Sequence, residues 1–281
     1  MIYNLVMMCG SGYVPTPPEP WDLDNIPFVN ATTITEVYLN LTGSYFSPDG
    51  SLFFAMDSSS VSTTRRNIYK FSLSTPYLLS SRTLIQTKTN YTGLATVPTS
   101  MTFKDDGTEM YLADNSGDSI RQSTLSTAWD LSTATLTTSK SVVTQTSLPT
   151  GVFFGNNGTK MYLAGNTSSN VWEFNLGTAW DVSTASLFQS YDTGATPKSV
   201  YFKTDGTRMF TVSGTTSNIR QYELTSAWDI STASLTKTKT LVASNDTPQD
   251  LLFNGDGTKM FVSDGQIGNP GDRRVYNYSF A

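Results

Sequence analysis

The sequence of 281 residues contains no histidine and one cysteine, Cys9, and only 15% of its residues are charged. The lack of histidine removes both the commonest general base and the commonest transition-metal ligand. A single cysteine excludes a disulfide within the chain. No apolar run is long enough to span a bilayer. The formal net charge of −5 argues against a nucleic-acid-binding surface, which is normally basic.

One pattern occurs five times in this chain: a phenylalanine, a short loop ending in Asp/Asn-Gly-Thr/Ser, then usually a methionine followed by an aromatic residue. Its glycines, separated by 57, 51, 48 and 51 residues, are Gly50, Gly107, Gly158, Gly206 and Gly257. The phenylalanine four positions before each is Phe46, Phe103, Phe154, Phe202 or Phe253. Repeats of this length built from short strands are typical of β-propellers, with one repeat per blade. We therefore expect an all-β, five-bladed β-propeller with repeats beginning near residues 42, 97, 148, 196 and 247.

A second motif, Trp-Asp followed by an apolar residue, predicts how the ring closes. It occurs at Trp129, Trp180 and Trp228, and Tyr77 takes the tryptophan position in the first copy. In the fifth copy the equivalent position would be 284, beyond the end of the sequence.

Trp21-Asp22-Leu23 supplies the missing copy of this motif. The 25 residues from Trp21 to Phe46 equal the distance from Trp129 to Phe154. We therefore expect residues 21–41 to provide the outer strand of the fifth blade, which closes the propeller of residues 21–281 by N-terminal strand exchange and hides its sheet edges.

Residues 1–20 are predicted to lie outside the propeller as an anchor. The segment begins with an apolar tip and continues as a proline-rich spacer, which should be stiff and extended. Lysine and arginine are absent before Arg65, so the basic start of a signal peptide is missing. The apolar residues expected to attach the chain to a larger assembly are Ile2, Tyr3, Leu5, Val6, Met7 and Met8.

Two long loops between the second and third strands of a blade carry the predicted binding residues. These loops belong to the first and fifth copies, and they end in Arg65-Arg66 and Arg273-Arg274. Ring closure makes these copies neighbours, so the four arginines should stand side by side, where they can bind carboxylates or phosphates. The alternative is that they are solvated loop ends beside acidic residues.

The remaining sequence signals favour structure over catalysis. The aspartates that precede the repeated glycines are expected to be turn residues, and the tryptophans are expected to pack between adjacent blades. On the predicted inner strands only Asp250 is acidic, whereas a glycosidase needs two carboxylates facing each other across a pocket. We therefore expect no catalytic residues, no metal site and no cofactor.

The segments Asp256-Gly257-Thr258-Lys259-Met260-Phe261 and Ser226-Ala227-Trp228-Asp229-Ile230-Ser231-Thr232-Ala233-Ser234 resemble repeats of propeller proteins from marine bacteriophages and marine bacteria. The architecture is also similar to that of tachylectin-type lectins in blade number and repeat length.

The phage resemblance implies a non-enzymatic structural protein of the virion, located on its tail or capsid. Residues 1–20 would dock to other virion proteins, and the propeller would face outward and contact host surface glycans. The alternative function is a cell-surface or secreted lectin-like protein of a bacterium, and the third class is a glycosidase dependent on Asp250. Neither a nucleic-acid partner nor a membrane span is expected.

Overall fold

The computed structural model describes residues 19–24, 26–37, 40–57, 67–89, 91, 93–242, 247–265 and 273–280. They form five antiparallel four-stranded sheets arranged as a five-bladed β-propeller. The predicted fold class and number of blades are therefore confirmed.

The strands follow the repeat, and each blade runs from an inner strand at the centre of the ring to an outer strand. Blade one consists of Leu41–Phe46 (β2), Leu52–Asp57 (β3), Asn67–Leu73 (β4) and Arg82–Thr89 (β5). Blade two consists of Pro98–Phe103 (β6), Glu109–Asp114 (β7), Ser119–Leu125 (β8) and Ala134–Ser141 (β9). Blade three consists of Pro149–Gly155 (β10), Lys160–Gly165 (β11), Asn170–Leu176 (β12) and Ala185–Asp192 (β13).

Blade four consists of Ser199–Phe202 (β14), Arg208–Ser213 (β15), Asn218–Leu224 (β16) and Ala233–Thr240 (β17). Blade five consists of Pro248–Phe253 (β18), Lys259–Gly265 (β19), Arg273–Ser279 (β20) and Phe28–Thr33 (β1). Short 3₁₀ helices occupy Leu79–Ser81, Leu131–Thr133, Asn156–Gly158, Val182–Thr184 and Ile230–Thr232.

The Asp-Gly segments form the loops between the first and second strands, as predicted. In blade two, Gly107 has a φ of +73°, and the Asp106 carboxylate accepts hydrogen bonds from the N–H and the hydroxyl of Thr108. The loop spans the five residues between β6 and β7, so it is longer than a two-residue hairpin. Asp106 is thus a turn residue. Burial by itself would raise the pKa of Asp106, but these hydrogen bonds and the neighbouring Lys104 outweigh that effect and lower the pKa to about 2.

The tryptophan of each Trp-Asp motif sits on the glycine of its own blade and packs against the preceding blade. The N–H of Trp129 donates to the carbonyl of Gly107 at 3.0 Å. Its ring stacks on Tyr45 of blade one, with 6.1 Å between ring centroids. The expectation that these residues pack between blades is therefore confirmed.

Strand exchange closes the ring. β1 pairs antiparallel with β20, and Ala31 lies opposite Tyr276. Trp21 is 4% exposed, and it packs in one buried cluster with Tyr276 and Tyr278. The N-terminal segment therefore completes the last blade, which confirms the predicted closure. The observed pairing covers Phe28–Thr33 within the predicted range 21–41.

Candidate functional site

The five inner strands surround a cavity of about 390 Å³ at the centre of the propeller. It opens on the face that carries the Asp-Gly turns, because residues of these turns line it together with residues of the inner strands. The rim is formed by the residues two positions before the repeated glycines, which are Pro48, Asp105, Asn156, Thr204 and Gly255.

The wall of the cavity is largely aromatic. It is formed by the inner-strand residues that directly precede the repeated phenylalanines. These residues are Tyr45, Thr102, Phe153, Tyr201 and Leu252. Tyr201 packs against Phe153, with 5.1 Å between ring centroids, and against Phe253 at 5.4 Å. Tyr45 packs against Phe103 at 5.1 Å. These contacts hold the rings in place around the cavity.

Asp250 of β18 lies deeper in the cavity and is 5% exposed. One carboxylate oxygen accepts hydrogen bonds from the Ser199 hydroxyl at 2.7 Å and the Leu251 N–H at 2.9 Å. The other accepts from the N–H and the hydroxyl of Ser44, at 2.9 and 3.3 Å. Asp250 thus connects the inner strands of blades four, five and one.

Burial dominates the ionisation of Asp250. Although the four hydrogen bonds favour the carboxylate, desolvation favours the neutral acid, and it raises the pKa of Asp250 to about 6. The side chain therefore changes its charge at a higher pH than an exposed aspartate does.

Asp105 is the second acidic residue of the cavity, and it stands at the solvent-exposed rim. Unlike Asp106, it makes no hydrogen bond to its turn within the described residues. Partial desolvation, and then the adjacent charge of Asp106, raise the pKa of Asp105 above its ordinary value. Of the described residues that line the cavity, Asp105 and Asp250 are the charged ones, so the cavity carries negative charge only.

Burial controls the ionisation of the two tyrosines of the wall. Burial first, then the charge of Asp105, raises the pKa of Tyr45 well above its ordinary value. Burial, with smaller contributions from Asp105 and Asp250, does the same for the pKa of Tyr201. Both tyrosines are therefore neutral at physiological pH. The Tyr201 hydroxyl donates to the carbonyl of Phe253 at 3.3 Å, whereas that of Tyr45 has no hydrogen-bond partner among the described residues.

Of the four arginines predicted to bind a partner, the two that the structure describes, Arg273 and Arg274, do not line this cavity. Arg65 and Arg66 fall outside the described residues. Arg273 and Arg274 belong to the start of β20, not to the loop before it. A guanidinium nitrogen of Arg273 donates to the carbonyl of Val37, so this side chain helps to hold the segment that follows β1. The role of the four arginines in binding a partner stays a prediction.

The remaining predictions concern the anchor, a metal site and a membrane span. The anchor residues Ile2 to Met8 lie outside the described part of the chain, so the anchor also stays a prediction. Among the residues the structure describes, no three His, Cys, Asp or Glu side chains group as they would around a metal ion. Over the same residues, no helix is long and apolar enough to cross a membrane.

Sequence reasoning missed the cavity residues Asp105, Tyr45 and Tyr201. A usable signal existed, because these positions differ between copies while the phenylalanine and the glycine around them recur. At the position two before the glycine, only the second copy carries a charge. That signal marks Asp105 as a residue the scaffold does not require.

No protein-family model matches the chain, and a comparison with curated proteins finds no match either. Solved propeller structures do resemble it. A putative 6-phosphogluconolactonase from Bacteroides uniformis is 13% identical, with a TM-score of 0.49, over 85% of this chain and 71% of that one. A periplasmic gluconolactonase from Pseudomonas aeruginosa is 14% identical, with a TM-score of 0.49, over 85% and 69%. A chain of a nidogen–laminin complex is 13% identical, with a TM-score of 0.53, over 81% and 73%.

These comparisons contradict the function predicted from the repeat resemblance. The similar structures include gluconolactonase-type propellers, and nothing among them points to a phage virion protein, so the virion-appendage function is wrong. Its lectin-like alternative and the expected contact with host glycans gain no support. At 13 to 14% identity the likeness shows the fold alone.

Other predictions are untouched by these comparisons. The resemblance to repeats of marine phages and bacteria stays a prediction, and so do the partners and the localisation. The expected absence of catalysis also stays a prediction.

Proposed function

We propose that this propeller binds a small molecule in its central cavity, which the ligand enters from the face of the Asp-Gly turns. The observation that carries this proposal is the cavity itself. Its volume of about 390 Å³ lies within the usual range of ligand pockets. Its lining combines aromatic rings, such as those of Tyr45, Phe153 and Tyr201, with polar side chains. Ligand pockets likewise combine hydrophobic and aromatic side chains with polar groups that orient the ligand.

The hydrogen bonds of Asp250 favour binding over catalysis. A carboxylate has about four lone-pair positions, and four donors already occupy those of Asp250. A general base must reach the proton of its substrate with a free lone pair. Asp105 stands at the rim, where solvent reaches it, so the two acids do not form the facing pair of a glycosidase.

The same lining disfavours a phosphorylated sugar lactone as the ligand. Phosphate groups in binding sites are normally met by arginine, lysine or a helix N-terminus. Among the described residues of the cavity lining, no arginine or lysine is present, and both charged residues would repel an anion.

A blocking substitution tests the proposed site. Thr102→Trp places a large side chain in the cavity wall, and the matched control Thr135→Trp places one on the exposed face of the outer strand β9. We expect compounds from a fragment panel to raise the melting temperature of the wild type and of Thr135→Trp. The same compounds should not raise that of Thr102→Trp. Equal shifts in all three proteins would show that binding occurs elsewhere.

An assay of hydrolysis tests the preference for binding. Wild-type protein should not hydrolyse a panel of lactones and glycosides. Turnover that Asp250→Asn abolishes, while the variant keeps its fold by circular dichroism, would make the propeller an enzyme and overturn this proposal.

A further inference from the structure

Building on the proposed function, we infer that the cavity selects a small organic cation, that is, a ligand with a quaternary or protonated amine. Among the described residues, three properties of the cavity support this specificity: negative charge without a basic partner, aromatic rings near both acids, and a wall hydroxyl without a hydrogen bond.

The first argument is charge. Asp105 forms neither an ion pair nor a hydrogen bond within the described residues, and no basic side chain among them lines the cavity. The adjacent Asp106 differs, because it binds Thr108 and lies 2.9 Å from the ammonium group of Lys104. A carboxylate without a partner at the mouth of a low-dielectric cavity raises the local concentration of cations and repels anions.

The second argument is the position of the aromatic rings. Along the inner strands, Tyr45 and Tyr201 stand one residue before the repeated phenylalanine, whereas Asp250 stands three residues before it and Asp105 two residues after it. The tyrosine position thus falls between the positions of the two acids. The charge of Asp105 reaches both tyrosines, and that of Asp250 reaches Tyr201. A ligand at this position would therefore contact aromatic rings while it lies between two acids. Quaternary ammonium groups are recognised in this way, by aromatic faces and negative charge.

The third argument is the hydroxyl of Tyr45. It makes no hydrogen bond within the described residues, and its side chain is half-buried. A bound molecule with a hydroxyl or carbonyl group could satisfy it.

A metal ion fits the cavity less well than an organic cation. Hard metal ions take six or more oxygen ligands at short distances. Here one carboxylate is at the rim and the other is deeper and already bonded by four donors, and no metal-binding group of acids occurs among the described residues. A large, weakly hydrated cation requires no such coordination shell.

Choline and its neutral isostere 3,3-dimethylbutan-1-ol provide the test, because they differ in charge and hardly in shape. Binding of both to the wild type is measured by isothermal titration calorimetry at pH 7.5. We expect choline to bind at least about tenfold more tightly, as one cation–aromatic contact supported by a carboxylate would give. Asp105→Asn, which removes a charge from an exposed side chain, should weaken choline binding about fivefold or more and leave the alcohol unchanged.

Asp118→Asn is the matched control. It removes the same charge from the loop between β7 and β8, at the other end of blade two, where a φ of +41° suits asparagine. This variant should bind choline as the wild type does.

The outcomes separate the cation specificity from the proposed binding site. Equal affinity for choline and the alcohol, with both lost in Thr102→Trp, would overturn the cation inference and leave the binding cavity in place. No binding of choline at millimolar concentration would also overturn the inference. Choline binding that persists in Thr102→Trp would overturn both proposals.

Discussion

The backbone N–H of Ser44 donates a hydrogen bond to the carboxylate of Asp250 across 2.9 Å, although the two residues are 206 positions apart in the chain. This bond joins the first inner strand of the propeller to the last. With the bond from Ser199, it makes Asp250 a link between three consecutive blades. Two sets of contacts therefore close the propeller: the hydrogen bonds of Asp250 at its centre, and the pairing of β1 with β20 at its periphery.

Asp250 should make the free energy of unfolding depend on pH. Its pKa is raised from 3.8 to about 6 on folding, so between these values the native state binds more protons than the unfolded state. The free energy of unfolding contributed by this group is therefore fully present below pH 4 and is lost as the pH rises to 6. Relative to Asp250→Asn, the wild type should lose about 2 kcal/mol between pH 4 and 6, and up to about 3 kcal/mol from well below pH 4 to well above pH 6.

Urea titrations of both proteins at several pH values measure this difference. The comparison with Asp250→Asn is needed because other carboxylates act in the opposite direction. Asp106 and Asp205, whose pKa values are lowered to about 2, lose their stabilising contribution as the pH falls. A stability difference that stays constant between pH 4 and 6 would contradict the prediction.

Trp21→Ala should strongly destabilise the propeller. Trp21 is buried against Phe253, with 5.0 Å between ring centroids, and it carries the packing of the closing blade. Truncation of a buried tryptophan typically costs about 3–5 kcal/mol. The control is Val29→Ala on β1, whose side chain is 49% exposed and should matter little. Denaturant unfolding measures both, and similar values would argue against closure by the N-terminal segment.

Gly107→Ala should lower the free energy of unfolding for two reasons, a steric clash and an unfavourable φ. The same substitution at Gly93 measures the effect of φ alone. An added Cβ would lie 2.2 Å from the ring of Trp129, and the φ of +73° is unfavourable for alanine. Gly93 has a φ of +92° but open space around an added Cβ, so Gly93→Ala should cost only the backbone term of about 1 kcal/mol. We expect Gly107→Ala to lower the free energy of unfolding by at least about 1 kcal/mol more than Gly93→Ala does.

Tyr162→Phe should cost about 1 kcal/mol, the usual net value of one hydrogen bond. The Tyr162 hydroxyl in blade three donates to the carbonyl of Trp228 in blade four at 2.6 Å. Tyr191→Phe is the matched control, because no hydrogen bond of its hydroxyl is present within the described residues. If chemical denaturation shows the two variants to be equally stable, this bond between blades contributes nothing measurable.

Much of the scaffold was predictable because each blade repeats the same local chemistry. The glycine of the turn needs a positive φ, and the tryptophan that covers it leaves no room for a side chain. These requirements act within one repeat, so they recur at constant spacing and can be read along the chain. Even the closure followed from a spacing, that between Trp21 and Phe46. The strand start at Arg273 was missed because the paired arginines were assigned to the loop before β20.

The cavity was not predictable in the same way. Asp105, Tyr45 and Asp250 come from different blades, and no spacing relates them. The function inferred from the repeats was wrong, since a repeat encodes the scaffold that many unrelated sites share.

The sequence by itself thus determined an all-β ring of five blades and the segment that closes it, because local turn geometry and inter-blade packing repeat with every copy. Only the tertiary structure decided that the carboxylate of Asp105, two tyrosines and a buried aspartate surround one cavity. The physical reason is that the environment of each of these groups is made by neighbours from other blades. Charge, burial and free hydrogen-bonding capacity at the centre of a ring exist only once the ring is closed.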